Sequence, residues 1–334
     1  MVIIHKGGHD MLIAALLLAT IVLLSFCCFR KVFYYPLESR AKPEDPLRGK
    51  QYKKFEDDIR HITKIMQSLP FEAITIESFD GTTLFGRYYH VRDGAPVQIM
   101  FHGYQSCAFR DCSGGHALSR KMGFNCLVVD QRAHGNSGGT VITYGIKERK
   151  DCLCWIRYAE NRFGRETALV LSGISMGAAT ILMTSDLPDA KNVACIVADS
   201  PYSSPAAIIR KVCIDRHYPA FLVMPLIQLG ALLFGHFRLS ESNAVTSVSG
   251  TYVPVLLIHG DADGFVPCEM SWEIAAACRS RVSVEIFPGA GHGLSYLVDP
   301  IRYELSVLRF FQSIPALCQW IDPDYIEEIT KMRK

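Results

Sequence analysis

What this 334-residue chain lacks narrows its function before any motif is read. It has no long basic run and a formal net charge of only +2, so the basic stripe that binds nucleic acid is missing. It has no H-E-x-x-H cluster and no G-x-x-x-x-G-K-[ST] loop, which argues against a helix-borne metal centre and a nucleotide phosphate cradle. No metal and no cofactor is expected. No internal repeat or low-complexity tract is visible. The twelve cysteines follow no disulfide-framework spacing; Cys126 and Cys195 sit in apolar, strand-like runs, where a reduced thiol acts as a small hydrophobe. Cys152 and Cys154 lie two apart on an expected helix, point in different directions, and make a poor metal pair.

One further absence is of charge. From Met11 to Phe29 no charged side chain interrupts an apolar run long enough to cross a bilayer as a helix. A cleaved signal peptide is the alternative, but the run ends Phe26-Cys27-Cys28-Phe29-Arg30-Lys31, which lacks the small residues of a cleavage site. An uncleaved single-pass anchor is expected. Arg30, Lys31, Arg40 and Lys42 follow the run against Lys6 before it, placing the C-terminal body in the cytoplasm.

The rest divides by pattern. Residues 1–31 carry the anchor at 11–29, and residues 32–70 form a charged linker followed by an amphipathic helix. In that helix Tyr52, Phe55, Ile59, Ile62, Met66 and Leu69 recur three or four apart before Pro70. From Phe71, short apolar strands alternate with helices: Ala73–Ser78, Leu84–Val91, Val97–Phe101, Asn125–Val129, Ala168–Leu171, Val193–Ala198, Val255–His259 and Val282–Phe287. Helices are expected near Gly115–Met122, Ile146–Phe163 and Pro300–Phe311. This alternation predicts an α/β domain over residues 71–315, with a mostly parallel sheet covered on both faces. Residues 316–334 read as a C-terminal tail. Between Ser200 and Pro254 no convincing strand occurs. The apolar run Tyr218–Phe234 there could be a second span by length, but Pro219 and Pro225 interrupt it, and a helical lid insertion at about 201–250 is expected.

The chemistry centres on Gly173-Ile174-Ser175-Met176-Gly177. Three fixed residues are a weak signal alone. The setting strengthens it, because a strand precedes them and a helix-compatible stretch follows, the strand–turn–helix of a nucleophile elbow. A serine hydroxyl needs a base. His292, in Gly289-Ala290-Gly291-His292-Gly293, follows the last strand, and Asp263, in His259 through Pro267, follows the strand before it. The order Ser…Asp…His is the one this arrangement uses. Asp261 and Asp199 are rival acids; Asp263 is preferred because a turn must swing the carboxylate from the strand end toward the histidine. The oxyanion donors expected are the backbone N–H groups of Met176 and of Tyr104, in the loop after Val97–Phe101. His102, Asp130 and Arg132 read as loop-ordering residues.

Together, His102-Gly103, Asp130-Gln131-Arg132 through Ser137, Gly173 through Gly177, His259 through Pro267, and Gly291-His292-Gly293 resemble the α/β-hydrolase superfamily. The resemblance is to its membrane-anchored branch near the Bem46-like and serine aminopeptidase S33-like hydrolases. It implies an eight-stranded, mostly parallel sheet, a variable lid after the sixth strand, and hydrolysis through an acyl-enzyme. The function expected is cleavage of carboxylic esters or thioesters, with a small-molecule or acylated substrate of lipophilic acyl group. An amide-cleaving peptidase and a non-catalytic, hydrolase-fold membrane binding protein are the alternatives.

Overall fold

A computed structural model describes residues 4–46 and 49–332. Its centre is an eight-stranded sheet in the order β1-β2-β4-β3-β5-β6-β7-β8. The strands are β1 (Glu72–Glu77), β2 (Thr83–Tyr89), β3 (Val97–Phe101), β4 (Asn125–Asp130), β5 (Leu169–Ile174), β6 (Val193–Asp199), β7 (Val255–Gly260) and β8 (Val282–Phe287). Only β1–β2 and β2–β4 pair antiparallel; every other neighbour is parallel. This is the α/β-hydrolase fold that the resemblance implies, and the alternation of strands and helices predicts its mostly parallel sheet.

Parallel strands need both faces covered, and the side-chain period of two sorts the residues between the faces. In β7, Val255 and Leu257 join one buried cluster while Leu256 and Ile258 join the other. The first face is covered by helices Glu148–Phe163, Met176–Thr184, Ala244–Gly250 and Glu269–Ala277, which bring Trp155, Ile181, Val248 and Ile274 to the core. The second is covered by Ser113–Lys121 and Pro300–Gln312, with Leu118, Val307 and Phe311. Residues 316–332 are packed rather than loose: Tyr325 and Ile329 of helix Pro323–Met332 are buried in that second cluster, and the Tyr325 hydroxyl donates to Glu304.

The N-terminal helix spans Ile4–Val32 and is exposed along most of its apolar length, His9–Val32. It is the one helix among the described residues long and apolar enough to cross a membrane. Its last turns nevertheless belong to the body, since Phe29 and Phe33 are buried in the first cluster. The chain then pairs with the catalytic body through a bridge between Tyr34 and Val141. Arg40 donates to the carbonyls of Gly135, Ser137 and Gly139.

One local reading changes in the structure. The periodic segment from Tyr52 to Leu69 is a 3₁₀ turn, Lys50–Phe55, followed by an α-helix, Glu56–Ser68. Tyr52 leaves the helical stripe because its hydroxyl donates to the carbonyl of His292. The insertion between β6 and β7 holds helices Pro205–Asp215, Ala220–Gly235 and Ala244–Gly250. The middle one carries the apolar run but has 16 residues, short of the roughly 20 a straight span needs.

Candidate active site

Ser175 sits between β5 and helix Met176–Thr184 with φ 55° and ψ −116°. A non-glycine residue holds such a conformation only where its surroundings over-determine it. Here the Ser175 N–H donates to the carbonyl of Asp199 at 2.8 Å, and the flanking glycines allow a close approach. A Cβ on Gly177 would fall 2.1 Å from the carbonyl oxygen of Phe101, and one on Gly173 would fall 2.5 Å from the carbonyl carbon of Gly177. Strand, turn and helix can meet this tightly only with glycine at both positions.

The structure brings Ser175, His292 and Asp263 together although they are far apart in the chain. His292 Nε2 lies 2.9 Å from Ser175 Oγ, and His292 Nδ1 lies 2.6 Å from Asp263 Oδ2. With Nδ1–H donating to the carboxylate, Nε2 is left to accept the serine proton. All three side chains are buried. Asp263 Oδ1 also accepts the N–H groups of Phe265 and Val266, each at 2.8 Å. Burial pushes the Asp263 carboxyl up, but hydrogen bonds from His259 and His292, the adjacent His292 ring and the Val266 N–H outweigh it. The group is held well below the usual carboxylate range.

The rival acids have other partners. Asp261 accepts from the N–H of Gly289 at 2.7 Å, tying the loop after β7 to the loop that carries His292. Asp199, at the end of β6, accepts from the Ser200 hydroxyl at 2.9 Å; burial pushes its carboxyl up, against hydrogen bonds from Ser200 and Tyr303.

The loop after β3 is held from both sides. Gly103 N–H donates to Asp111 Oδ2 at 2.8 Å, and Gln105 N–H donates to His134 Nε2 at 3.0 Å. Tyr104 N–H, between them, has no hydrogen-bond partner among the described residues. Met176 N–H opens its helix and has no intrahelical acceptor. The Tyr104 ring stacks on Tyr144, and its hydroxyl donates to the carbonyl of Val32, at the end of the N-terminal helix. His102 accepts the Gln131 N–H at Nε2; burial holds both His102 and His134 below the ordinary imidazole range, where each remains an acceptor. Asp130 holds Arg87 through two hydrogen bonds, and Arg132 holds Asp151 and Asp80. These loop residues build the walls and leave the reacting centre to others.

Three residues at the site carry no motif. Tyr52 donates to the carbonyl of His292 at 3.0 Å, Gln51 accepts the His292 N–H at 3.4 Å, and Asp111 fixes Gly103. Burial raises the Tyr52 phenol to about 12, so it stays a donor at neutral pH. Partners some 240 positions apart leave no periodic trace in a sequence. The site opens into a cavity of about 1330 Å³, walled by Tyr34, Tyr35, Tyr104, Met100, Phe265 and Leu297. Arg40, Lys42, Arg110 and Arg216 also border it.

The prolyl oligopeptidase family model matches residues 113–315 of the chain. A Bacillus subtilis (strain 168) protein, YqkD, is 22% identical over 263 residues, which cover 78% of this chain and 86% of that protein. Human protein ABHD12B is 28% identical over 221 residues, 61% of this chain and 58% of its own. Among solved structures, the Pyrococcus furiosus esterase Pf2001 superposes with a TM-score of 0.60 at 23% identity. That match covers 75% of this chain and 93% of the esterase.

Proposed function

Because this chain belongs to the prolyl oligopeptidase family and has the α/β-hydrolase fold, we propose that it cleaves carboxylic esters or thioesters of lipophilic acyl groups through an acyl-enzyme on Ser175. The observation that carries this is the continuous Ser175–His292–Asp263 hydrogen-bonded chain at 2.9 and 2.6 Å. His292 Nε2 takes the Ser175 proton as Oγ attacks the acyl carbon. Asp263 keeps Nδ1 protonated and stabilises the imidazolium. The N–H groups of Tyr104 and Met176 receive the oxyanion. The bond to the leaving alcohol or thiol then breaks, and that group departs with the proton from His292. Water, deprotonated by His292, releases the acid and restores the serine. The large, aromatic-walled cavity supports a lipophilic acyl group, and the helix His9–Val32 supports a membrane-held enzyme with its body in the cytoplasm.

Labelling of the membrane fraction with a fluorophosphonate probe tests the nucleophile. Wild type should label and Ser175→Ala should not; equal labelling of both sinks the assignment. A chain-length series of p-nitrophenyl esters tests the acyl group, with activity expected to rise beyond acetate; a maximum at acetate overturns that part. The family match favours a second reading, hydrolysis of amides by the same three residues. Cleavage of aminoacyl-naphthylamides without esterase activity would replace the first reading with it.

A further inference from the structure

Helix Ala220–Gly235 contains no charged residue, and its exposed positions are not scattered. Phe221, Leu222, Pro225, Gln228, Leu232 and Leu233 are exposed, whereas Ile227, Gly230, Ala231 and Gly235 are buried. At 100° per residue the exposed six fall on one stripe, and five of them are apolar. Phe221 is 78% exposed and Leu222 57%. A stripe of this kind on a soluble protein is an interaction surface.

The N-terminal helix shows what covers it. Helix Ala220–Gly235 and the residues flanking it pack against the last turns of the N-terminal helix. Just before its start, the Tyr218 hydroxyl accepts from Lys31 Nζ at 3.0 Å. Near its other end, Phe234 meets the rings of Phe26 and Phe29 at 5.1 and 5.8 Å, and Phe237 meets Phe33 at 5.2 Å. A Cβ on Gly230 would fall 2.4 Å from the carbonyl oxygen of Ser25, so the two backbones touch. All of these contacts fall on residues 25–33, at the end of the apolar run. Arg30 and Lys31 mark that level as the end of the apolar run, and exposed Arg216 and Arg238 flank helix Ala220–Gly235 at its two ends.

We propose that helix Ala220–Gly235 lies in the plane of the bilayer, with its stripe of Phe221, Leu222, Pro225, Leu232 and Leu233 among the lipid acyl chains at the boundary marked by Arg30 and Lys31. Its flanking arginines meet phosphate headgroups. The mouth of the Ser175 cavity, bordered by Tyr34 and by Arg216, then opens against the lipid surface, and substrate enters from the adjacent leaflet. This rests on the reading of His9–Val32 as a membrane anchor, and its lipid-docking part stands independently of the ester chemistry.

The test uses the full chain in vesicles of phosphatidylcholine whose acyl chains carry bromine, which quenches nearby tryptophan. Leu222→Trp and Leu233→Trp, made singly, should each add fluorescence that brominated lipid removes. Tyr252→Trp, an exposed control whose native ring packs on Arg279, should add fluorescence that survives. If the tryptophans introduced by Leu222→Trp and Leu233→Trp stay unquenched in protein that resists carbonate extraction, the proposal is overturned. A cross-linked dimer through those positions would then identify a second copy as the occupant. Protein released by carbonate overturns the anchor reading and this proposal with it. A variant combining Phe221→Asp, Leu222→Asp and Leu233→Asp should keep hydrolysis of a soluble short ester and lose hydrolysis of a long-chain ester presented in vesicles. Equal loss on both substrates overturns the entry route. Inactivity of the wild type on every ester, with quenching as expected, counts against the proposed chemistry alone.

Discussion

Two carboxylates stand at the ends of neighbouring parallel strands, Asp199 after β6 and Asp263 in the turn after β7, and their surroundings drive them apart. Both are buried near His292. Asp263 receives two backbone N–H groups and an imidazole, so its charged form is the favoured one. Asp199 has two neutral hydroxyls, from Ser200 and Tyr303, and burial raises it. A strand end delivers an acid to the neighbourhood of the histidine, but the turn decides whether that acid is an anion. Only the loop 261–266 folds so that its own N–H groups converge on the carboxylate.

The largest test of this difference is in turnover. Asp263→Asn should lower kcat by about 10⁴-fold, because the amide favours the wrong imidazole tautomer, whereas Asp199→Asn should stay within roughly tenfold of wild type. Comparable losses in steady-state kinetics would dissolve the distinction. The next test is stability against pH, where the two should have opposite signs. The depressed Asp263 carboxyl contributes stability above its unfolded value, about 4, and loses it as pH falls through its lowered folded value. Asp263→Asn should therefore unfold more easily at pH 7, by about 1–2 kcal/mol, with the gap to wild type closing in acid. Asp199, raised by burial, is favourable below its unfolded value and costs stability as pH rises through its folded one. Asp199→Asn should accordingly be at least as stable as wild type at pH 7 and lose that advantage on acidification. Thermal unfolding across about pH 2–8 reads both; matching signs would break the comparison.

Smaller effects sharpen it. Tyr52→Phe removes one hydrogen bond to the His292 carbonyl, worth about 1 kcal/mol. It should cost roughly three- to tenfold in kcat with KM unchanged, and a rise in KM alone would make Tyr52 a substrate contact instead. Asp261→Asn leaves an acceptor for Gly289 and should change kcat by no more than about threefold. A larger loss would return Asp261 to the list of acids.

Much of the site was legible because its chemistry is local. Gly173 and Gly177 announce a turn that no larger residue could enter, and the β5–helix setting makes Ser175 its product. The Ser…Asp…His order followed from loops at successive strand ends. Illegible were Gln51 and Tyr52, whose partner His292 lies some 240 positions away, and Asp111, which holds Gly103 from eight positions along without any motif; Tyr52 read as one more residue of a helical stripe.

Sequence alone determined the alternating α/β pattern, the glycine-flanked serine, the candidate acid and base, and an apolar helix near the N-terminus, because each is written in periodicity, run length or a short motif. Tertiary structure decided which of three aspartates meets His292, that the linker reaches back over the site, and that Ala220–Gly235 packs against the base of the N-terminal helix. Those outcomes depend on contacts between distant segments, where burial and convergent hydrogen bonds set the charge of a carboxylate, and close approach of Gly230 to Ser25 joins two helices.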